Sequence, residues 1–229
     1  MVSVSVTDVE KSYRQGDVTV SALSGITISV EKGEFMALAG PSGSGKTTLL
    51  NMIGGLDLPD RGEIIVDGRN FRQMKSGDLA DLRLRRIGFV FQAYNLIPVL
   101  TAEENVEYIL RLQGVEKAKR KKRVRAILEE VGLSGMLDRK PSELSGGQQQ
   151  RVAVARAIVS NPAIVLADEP TANLDSKNGE KLLELMKTMN REKAVTFIFS
   201  THDAMVMEHA RRIVHIRDGC VADDQRKES

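Results

Sequence analysis

The stretch Gly40-Pro41-Ser42-Gly43-Ser44-Gly45-Lys46-Thr47-Thr48 has the residue types and spacing to hold a polyphosphate. Its glycines let backbone N–H groups close around anionic oxygens, and a helix starting at its end points a positive terminus at them. Lys46 brings a point charge for the outer phosphates, and Thr47 brings a hydroxyl for a divalent cation. Far along the chain, Asp168-Glu169 ends the apolar run Ile164–Ala167. Asp168 is placed there to hold the cation, directly or through water. Glu169 is placed to orient and deprotonate an attacking water.

Other residues carry weaker signals. Gln92 follows the apolar run Ile87–Phe91 and can reach the cation or its water, although a glutamine at a strand end is more often a polar cap. His202 sits in Ser200-Thr201-His202-Asp203, where a lone histidine is usually a helix cap or a surface residue. His209 and His215 read the same way. Tyr13 lies in a polar turn ahead of the glycine loop, and either stacks on a base or packs as an edge-strand aromatic. Ser145-Gly146-Gly147-Gln148 opens a segment carrying Val152, Ala155 and Val159 at helical spacing. A capping serine with two glycines is a second anion site by the same physics, or a plain N-cap.

Chemistry of this kind needs strands that end together and helices that begin where they end. Residues 2–8 and 18–30 read as short strands, and Phe35–Gly40 as a strand running into the glycine loop. Leu49, Leu50, Ile53 and Leu56 follow at helical spacing. Further strands are expected at Glu63–Val66, Ile87–Phe91, Ala163–Ala167, Val195–Ser200 and Ile213–Arg217. Helices are expected over 101–113, 116–131, 147–160 and 176–191, the last with a buried stripe of Leu182, Leu185, Met186 and Met189. The alternation predicts a mostly parallel sheet covered on both faces, with residues 93–145 as a helical insert. The polar end, Asp223–Ser229, is expected to fray.

Composition narrows the classes. The 229 residues are 41% hydrophobic and 28% charged, with a net charge of +2, so there is no global sign of nucleic-acid binding. Cys220 is the sole cysteine, which rules out an intrachain disulfide and fits a reducing compartment. The start, MVSVSVTDVEKSYRQ, lacks the pattern of a signal peptide, and no apolar run approaches the ~20 residues that span a bilayer. Any membrane role is therefore expected to run through a partner. The basic run from Lys117 to Arg125 reads as the solvated face of a helix whose other face, Val124, Ile127, Leu128 and Val131, is apolar.

With these motifs in order, the chain resembles the ATP-binding subunit of ATP-binding cassette (ABC) transporters, from Tyr13 to Gly219. The most specific element is Leu144-Ser145-Gly146-Gly147-Gln148, followed by Gln150-Arg151 and Ala155-Arg156-Ala157. The resemblance implies a P-loop NTPase fold of the ABC ATPase type, with an N-terminal antiparallel β subdomain and a helical subdomain. The nucleotide-binding core would be residues 1–92 and 146–229, and the helical subdomain 93–145. It implies ATP and Mg2+ as ligands, with Tyr13 stacking on adenine and Gly40–Thr48 holding the phosphates. Thr47, Asp168 and Gln92 would serve the metal, and Lys46, Glu169 and His202 the chemistry. Ser145, Gly146, Gly147 and Gln148 would grip the ATP of a second copy, with Asn173-Leu174-Asp175 crossing a head-to-tail dimer interface.

The resemblance also implies an integral membrane subunit as partner, a place on the cytoplasmic face of the inner membrane, and no nucleic acid. Tyr94–Pro98 would offer apolar residues to a cytoplasmic helix of that partner. Gly54–Asp57, Phe89–Pro98, Leu100–Val106 and Leu166–Asp175 resemble the branch of lipoprotein-releasing, macrolide-exporting and cell-division ATPases, with Ala172 where that branch most often has glycine. Other readings are mechanical or signalling work without transport and, further off, an ABC ATPase of DNA repair or ribosomes. The single cassette, single cysteine and lack of sustained heptads weigh against that last pair.

Overall fold

The computed structural model describes residues 1–16 and 18–227. Two long strands, β1 (Val2–Gln15) and β2 (Val18–Glu31), pair antiparallel, and β4 (Arg61–Val66) pairs antiparallel with the first half of β1. With the short β5 (Arg69–Asn70) they form a four-stranded sheet in the order β2-β1-β4-β5. Val4, Val6 and Val9 of β1 are buried, while Thr7 and Asp8 between them are exposed, so one face of this sheet is wet.

The second sheet has six strands in the order β10-β9-β3-β8-β7-β6. β3 (Phe35–Ala39), β6 (Ile87–Val90), β7 (Ile164–Asp168), β8 (Thr196–Thr201) and β9 (Arg212–Arg217) run parallel, and β10 (Cys220–Arg226) pairs antiparallel with β9. The interior strands are apolar at nearly every position because both faces are covered. Side chains alternate between the two faces with the period of two that a strand imposes. Phe35, Ala37, Val165, Ala167, Phe197 and Phe199 join one core cluster, and Met36, Leu38, Ile164, Leu166 and Ile198 join the other.

Helix α1 (Lys46–Ile53) and helix α2 (Ser76–Arg86) lie on the second cluster's side. The first cluster is roofed by α3 (Ala102–Leu112), α4 (Lys117–Glu130), α5 (Gly146–Ile158), α6 (Ser176–Lys193) and α7 (Ala204–His209). Thr101 caps α3 by accepting from the Glu104 N–H, and the Glu104 carboxylate accepts from the Thr101 N–H in return. On α4, Val124, Ile127 and Leu128 are buried while Lys117, Lys119, Lys121 and Lys122 face solvent.

Several expectations need correction. The chain end does not fray through Arg226: β10 is held to β9, and buried Arg212 donates to Asp224 (2.8 and 2.7 Å), to Glu34 and to the Ser29 carbonyl. The charged side chains of this strand hid its pairing role. Glu228 and Ser229 lie outside the described residues. Tyr13 is in no turn; it sits in β1 opposite Val20. Leu56 lies beyond the end of α1 and is half exposed. On α6 the buried stripe uses Leu183, with Leu185 only half-buried at the margin of the one core cluster this helix covers. Polar content hid α2 and α7 from the apolar-periodicity reading.

Candidate active site

Four parallel neighbours, β3, β8, β7 and β6, deliver their C-terminal ends to one edge of the sheet. Register aligns them: Ala39 lies level with Thr201, and Asp168 with Ser200. Such an edge is where ligands of open parallel sheets bind. A cavity of about 340 Å3 opens there, lined by the glycine loop, Gln92, Asp168, Glu169 and His202.

The loop after β3 is closed tightly around itself. Gly40 and Gly45 both have positive φ (153° and 104°). A Cβ at Gly40 would overlap the Ile216 carbonyl oxygen, and one at Gly45 would sit 2.6 Å from the Ala22 carbonyl oxygen. Ser44 anchors the loop through its backbone, its carbonyl accepting from the Gly219 N–H at 3.0 Å. Lys46 is buried and its ammonium donates to the carbonyls of Gly40 and Pro41, each at 2.8 Å. That leaves one of its three N–H donors for a ligand. Ser44 Oγ is buried with no partner, a polar atom inside a cradle of backbone N–H groups. Such an orphan and a glycine-only wall are what a phosphate-binding loop requires.

Beside the loop, the Thr47 hydroxyl donates to Asp168 Oδ1 at 3.0 Å, so a hydroxyl and a carboxylate meet where a cation next to phosphates would need oxygen ligands. Glu169 adopts φ of 44°, a left-handed conformation uncommon for a non-glycine residue, and its N–H donates to the Ser200 carbonyl at 2.9 Å. Both carboxylate oxygens are engaged, one by the Thr201 hydroxyl at 3.2 Å and the other by His202 Nδ1 at 2.6 Å. A carboxylate offers no proton, so the ring donates from Nδ1 and turns Nε2 away from Glu169. His202 is 67% exposed, open to whatever fills the cavity.

Tyr13 stands on β1 with its phenol donating to Asp57 Oδ2 at 2.6 Å. Burial and the bond to Asp57 push its pKa up to about 12. Burial works to raise the Asp57 pKa, but hydrogen bonds from Tyr13 and Lys11 outweigh it and hold the carboxyl low.

Ser145, Gly146, Gly147, Gln148 and Asp175 do not line this cavity. Ser145 caps α5: its hydroxyl accepts from the Gln148 N–H (3.3 Å) and the Gln148 side chain accepts from the Ser145 N–H (2.8 Å). Asp175 caps α6 in the same manner, and the N–H groups of Asn178 hold its pKa low. Residues quoted in the sequence motifs, but with no link foreseen between them, join this region to the cavity. Arg156 of α5 donates to the carbonyls of Tyr94 (2.9 Å) and Asn95 (2.5 Å), and Asn173 Nδ2 donates to the Gln92 carbonyl at 2.8 Å. Tyr94 and Asn95 both have positive φ, a kink that aims these carbonyls at Arg156. No local signal in the sequence marks this network.

Residues 23–172, more than half of the chain, match the family pattern described as ABC transporter. The chain belongs to the ABC transporter family. An uncharacterized ABC transporter ATP-binding protein of Thermotoga maritima is 46% identical over 98% of this cassette and 95% of its own length. The macrolide export ATP-binding/permease protein MacB of Brucella melitensis is also 46% identical, but the cassette spans only 34% of that protein. Among solved structures, the MJ0796 cassette of Methanocaldococcus jannaschii, in a dimeric post-hydrolysis state bound to ADP and Pi, is 42% identical with a TM-score of 0.91 over 99% of both chains. The fold is that of an ABC ATPase, a mixed α/β cassette with a parallel sheet and an antiparallel β subdomain. The cassette binds ATP and is an ATPase.

Proposed function

We propose that the cassette works as a head-to-tail dimer of two copies, with an ATP in each of two shared sites, and drives a separate membrane subunit. The observation that carries this is the split between the two anion grips. Gly40–Thr48 forms a finished cavity with Asp168 and Glu169, whereas Ser145–Gln148 is a half-exposed, capped helix start that lines no such cavity. One copy's loop holds the phosphates and the other copy's Ser145, Gly146, Gly147 and Gln148 cover the γ-phosphate, with Asp175 at the seam. Dimers of this kind reuse one patch twice.

Within each site, Lys46 and the loop N–H groups neutralise phosphate charge, and Tyr13 stacks on adenine after its phenol leaves Asp57. Thr47 and Asp168, with Gln92 nearby, are the residues that would hold Mg2+, whose bound charge offsets that of the β- and γ-phosphates. Glu169 takes the proton of the attacking water, and His202, held by Glu169 through Nδ1, presents Nε2 to the γ-phosphate. ATP links the two copies, and loss of the γ-phosphate releases them. Glu169→Gln should keep ATP binding, slow turnover by about 100-fold or more, and accumulate dimer on gel filtration. Near-normal turnover in that variant would remove Glu169 from the role.

Coupling would run through the helical segment 93–145. Leu96 packs against the core, so the groove expected at Tyr94–Pro98 is built differently. An apolar cleft of about 350 Å3 lies beside it, lined by Leu56, Leu84, Phe89, Phe91, Ile97 and Tyr108. Leu56 and Tyr108 are large and exposed, a surface suited to a short amphipathic helix of the membrane subunit at the inner face of the membrane. No helix among the described residues is long and apolar enough to cross a membrane. Tyr108→Glu should abolish copurification with that subunit and leave the cassette's own ATPase intact; retained copurification would place the dock elsewhere. The work done is export or force transmission of the macrolide-exporter and lipoprotein-release type.

A further inference from the structure

Away from the nucleotide cavity, Glu180 and Glu184 stand one turn apart on α6 and face His209 at the end of α7. The three side chains bring their donor atoms within 4.8 Å of one another. His209 Nε2 lies 3.2 Å from Glu180 Oε1, and Nδ1 lies 3.3 Å from Glu184 Oε1. His209 is the most enclosed of the three, its side chain 10% exposed, while both glutamates reach solvent. Although Nδ1 is close to Glu184, it makes no well-directed hydrogen bond and is wholly shielded from water. A shielded imidazole nitrogen left unpaired beside one carboxylate, on a ring whose other nitrogen meets a second, is the kind of group that ordinarily has a partner.

We propose that Glu180, Glu184 and His209 form a binding site for a divalent transition-metal ion, with Zn2+ the best fit. One imidazole nitrogen and two carboxylates leave a fourth position for water. Bonds of about 2.0–2.2 Å in tetrahedral geometry set ligand atoms roughly 3.4 Å apart; Nδ1 already lies 3.3 Å from Glu184 Oε1, and one donor atom from each of the three side chains lies within 4.8 Å of the others. An imidazole donor favours Zn2+ over Mg2+ or Ca2+, which prefer oxygen alone. A carboxylate has two oxygens, so Glu180 can hold the Nε2 N–H and turn its second oxygen toward an ion on Nδ1 beside Glu184. Lys187, 3.7 Å from Glu184 Oε1, competes for that carboxylate but is exposed and free to swing away.

The packing beneath the site is specific to it. Gly179 precedes Glu180, and a Cβ there would meet Met205 Sδ at 3.3 Å, so α6 and α7 pack closely at this point. Helix α6 starts directly after Asp175, and α7 starts after His202-Asp203, whose aspartate accepts from Thr171 at 2.8 Å. A bound ion would therefore clamp together the two helices that follow Asp175 and His202.

The test uses the full chain, stripped with a chelator and then held in excess Mg2+ and ADP to fill the nucleotide site. Zn2+ is titrated against a chromogenic chelator, and Co2+ is added separately to read ligand-field bands. Wild type should take up one equivalent of Zn2+, gain visible Co2+ absorption and melt a few degrees higher with Zn2+. His209→Gln and the exposed Glu180→Gln should each weaken Zn2+ uptake by at least 10-fold and lose or shift the Co2+ bands. No uptake by wild type, or equal uptake by wild type and both variants, would reduce the cluster to a histidine–glutamate ion pair and overturn the proposal.

Discussion

The two glycine-rich segments look alike in sequence and differ in almost every physical respect. Gly40–Thr48 is locked from behind by the backbone of Ala22, Ile216 and Gly219, and its charge is already countered by its own carbonyls on Lys46. Ser145–Gln148 is a helix start whose capping groups satisfy one another. A Cβ at Gly147 would make only ordinary contact, 3.5 Å from Asn178. Gly40 and Gly45 cannot change without disturbing backbone, and Gly146 would meet only the tip of Tyr94, whereas Gly147 can change freely unless something outside the chain presses on it. Glycine at 147 answers to an external surface, and the proposed surface is the phosphates held by a second copy.

The sharpest way to break this contrast is to disable the segments in different chains. Lys46→Ala and Gly147→Asp should each lack ATPase activity alone. Mixed one to one, half the dimers are hybrids, and each hybrid holds one site with both parts intact. About a quarter of the wild-type rate should return if the copies assort randomly. No recovery on mixing would mean that the two segments do not complete each other across chains.

A second experiment compares the segments within one chain. Gly40→Ala should weaken ADP binding by 100-fold or more and lower the melting temperature, since the added methyl meets backbone that cannot yield. Gly147→Ala should leave the melting temperature and ADP affinity near wild type and still slow ATP hydrolysis. Equal damage to ADP binding from both would erase the distinction between a finished site and an open half.

How far the sequence reached follows the same line. The glycine loop, the Asp168-Glu169 strand end and the parallel sheet were legible because each rests on local chemistry: turn residues, apolar runs and helix starts. Tyr13 was misplaced because β1 carries a polar second half that pairs with β2 over its full length, and polarity masks a strand. β10 was missed for a related reason, as its charges serve Arg212. The ties from Arg156 to Tyr94 and Asn95, and from Asn173 to Gln92, join residues some sixty to eighty positions apart. No spacing rule brings such residues together; only the sheet order does. His209 read as a surface histidine because nothing local says that α6 packs on α7 through Gly179.

The smallest expected effect concerns what lies beside the finished site before adenine arrives. Tyr13 is held by Asp57, with Lys11 5.3 Å from its ring centroid. Its pKa is raised to about 12 from 10.0, so the folded state favours the neutral phenol. The stabilisation is fully present below pH 10 and is lost as pH climbs toward 12, where folded Tyr13 must ionise next to Asp57. In a difference-absorbance titration, removing Tyr13 by Tyr13→Phe should delete a transition near pH 12. Asp57→Asn should move that transition back toward 10. Saturating ADP should also shift it, because stacking on adenine and bonding to Asp57 demand different positions of one side chain. A Tyr13 titration blind to both Asp57→Asn and ADP would separate the tyrosine from the site altogether, leaving the glycine loop finished by the sheet alone.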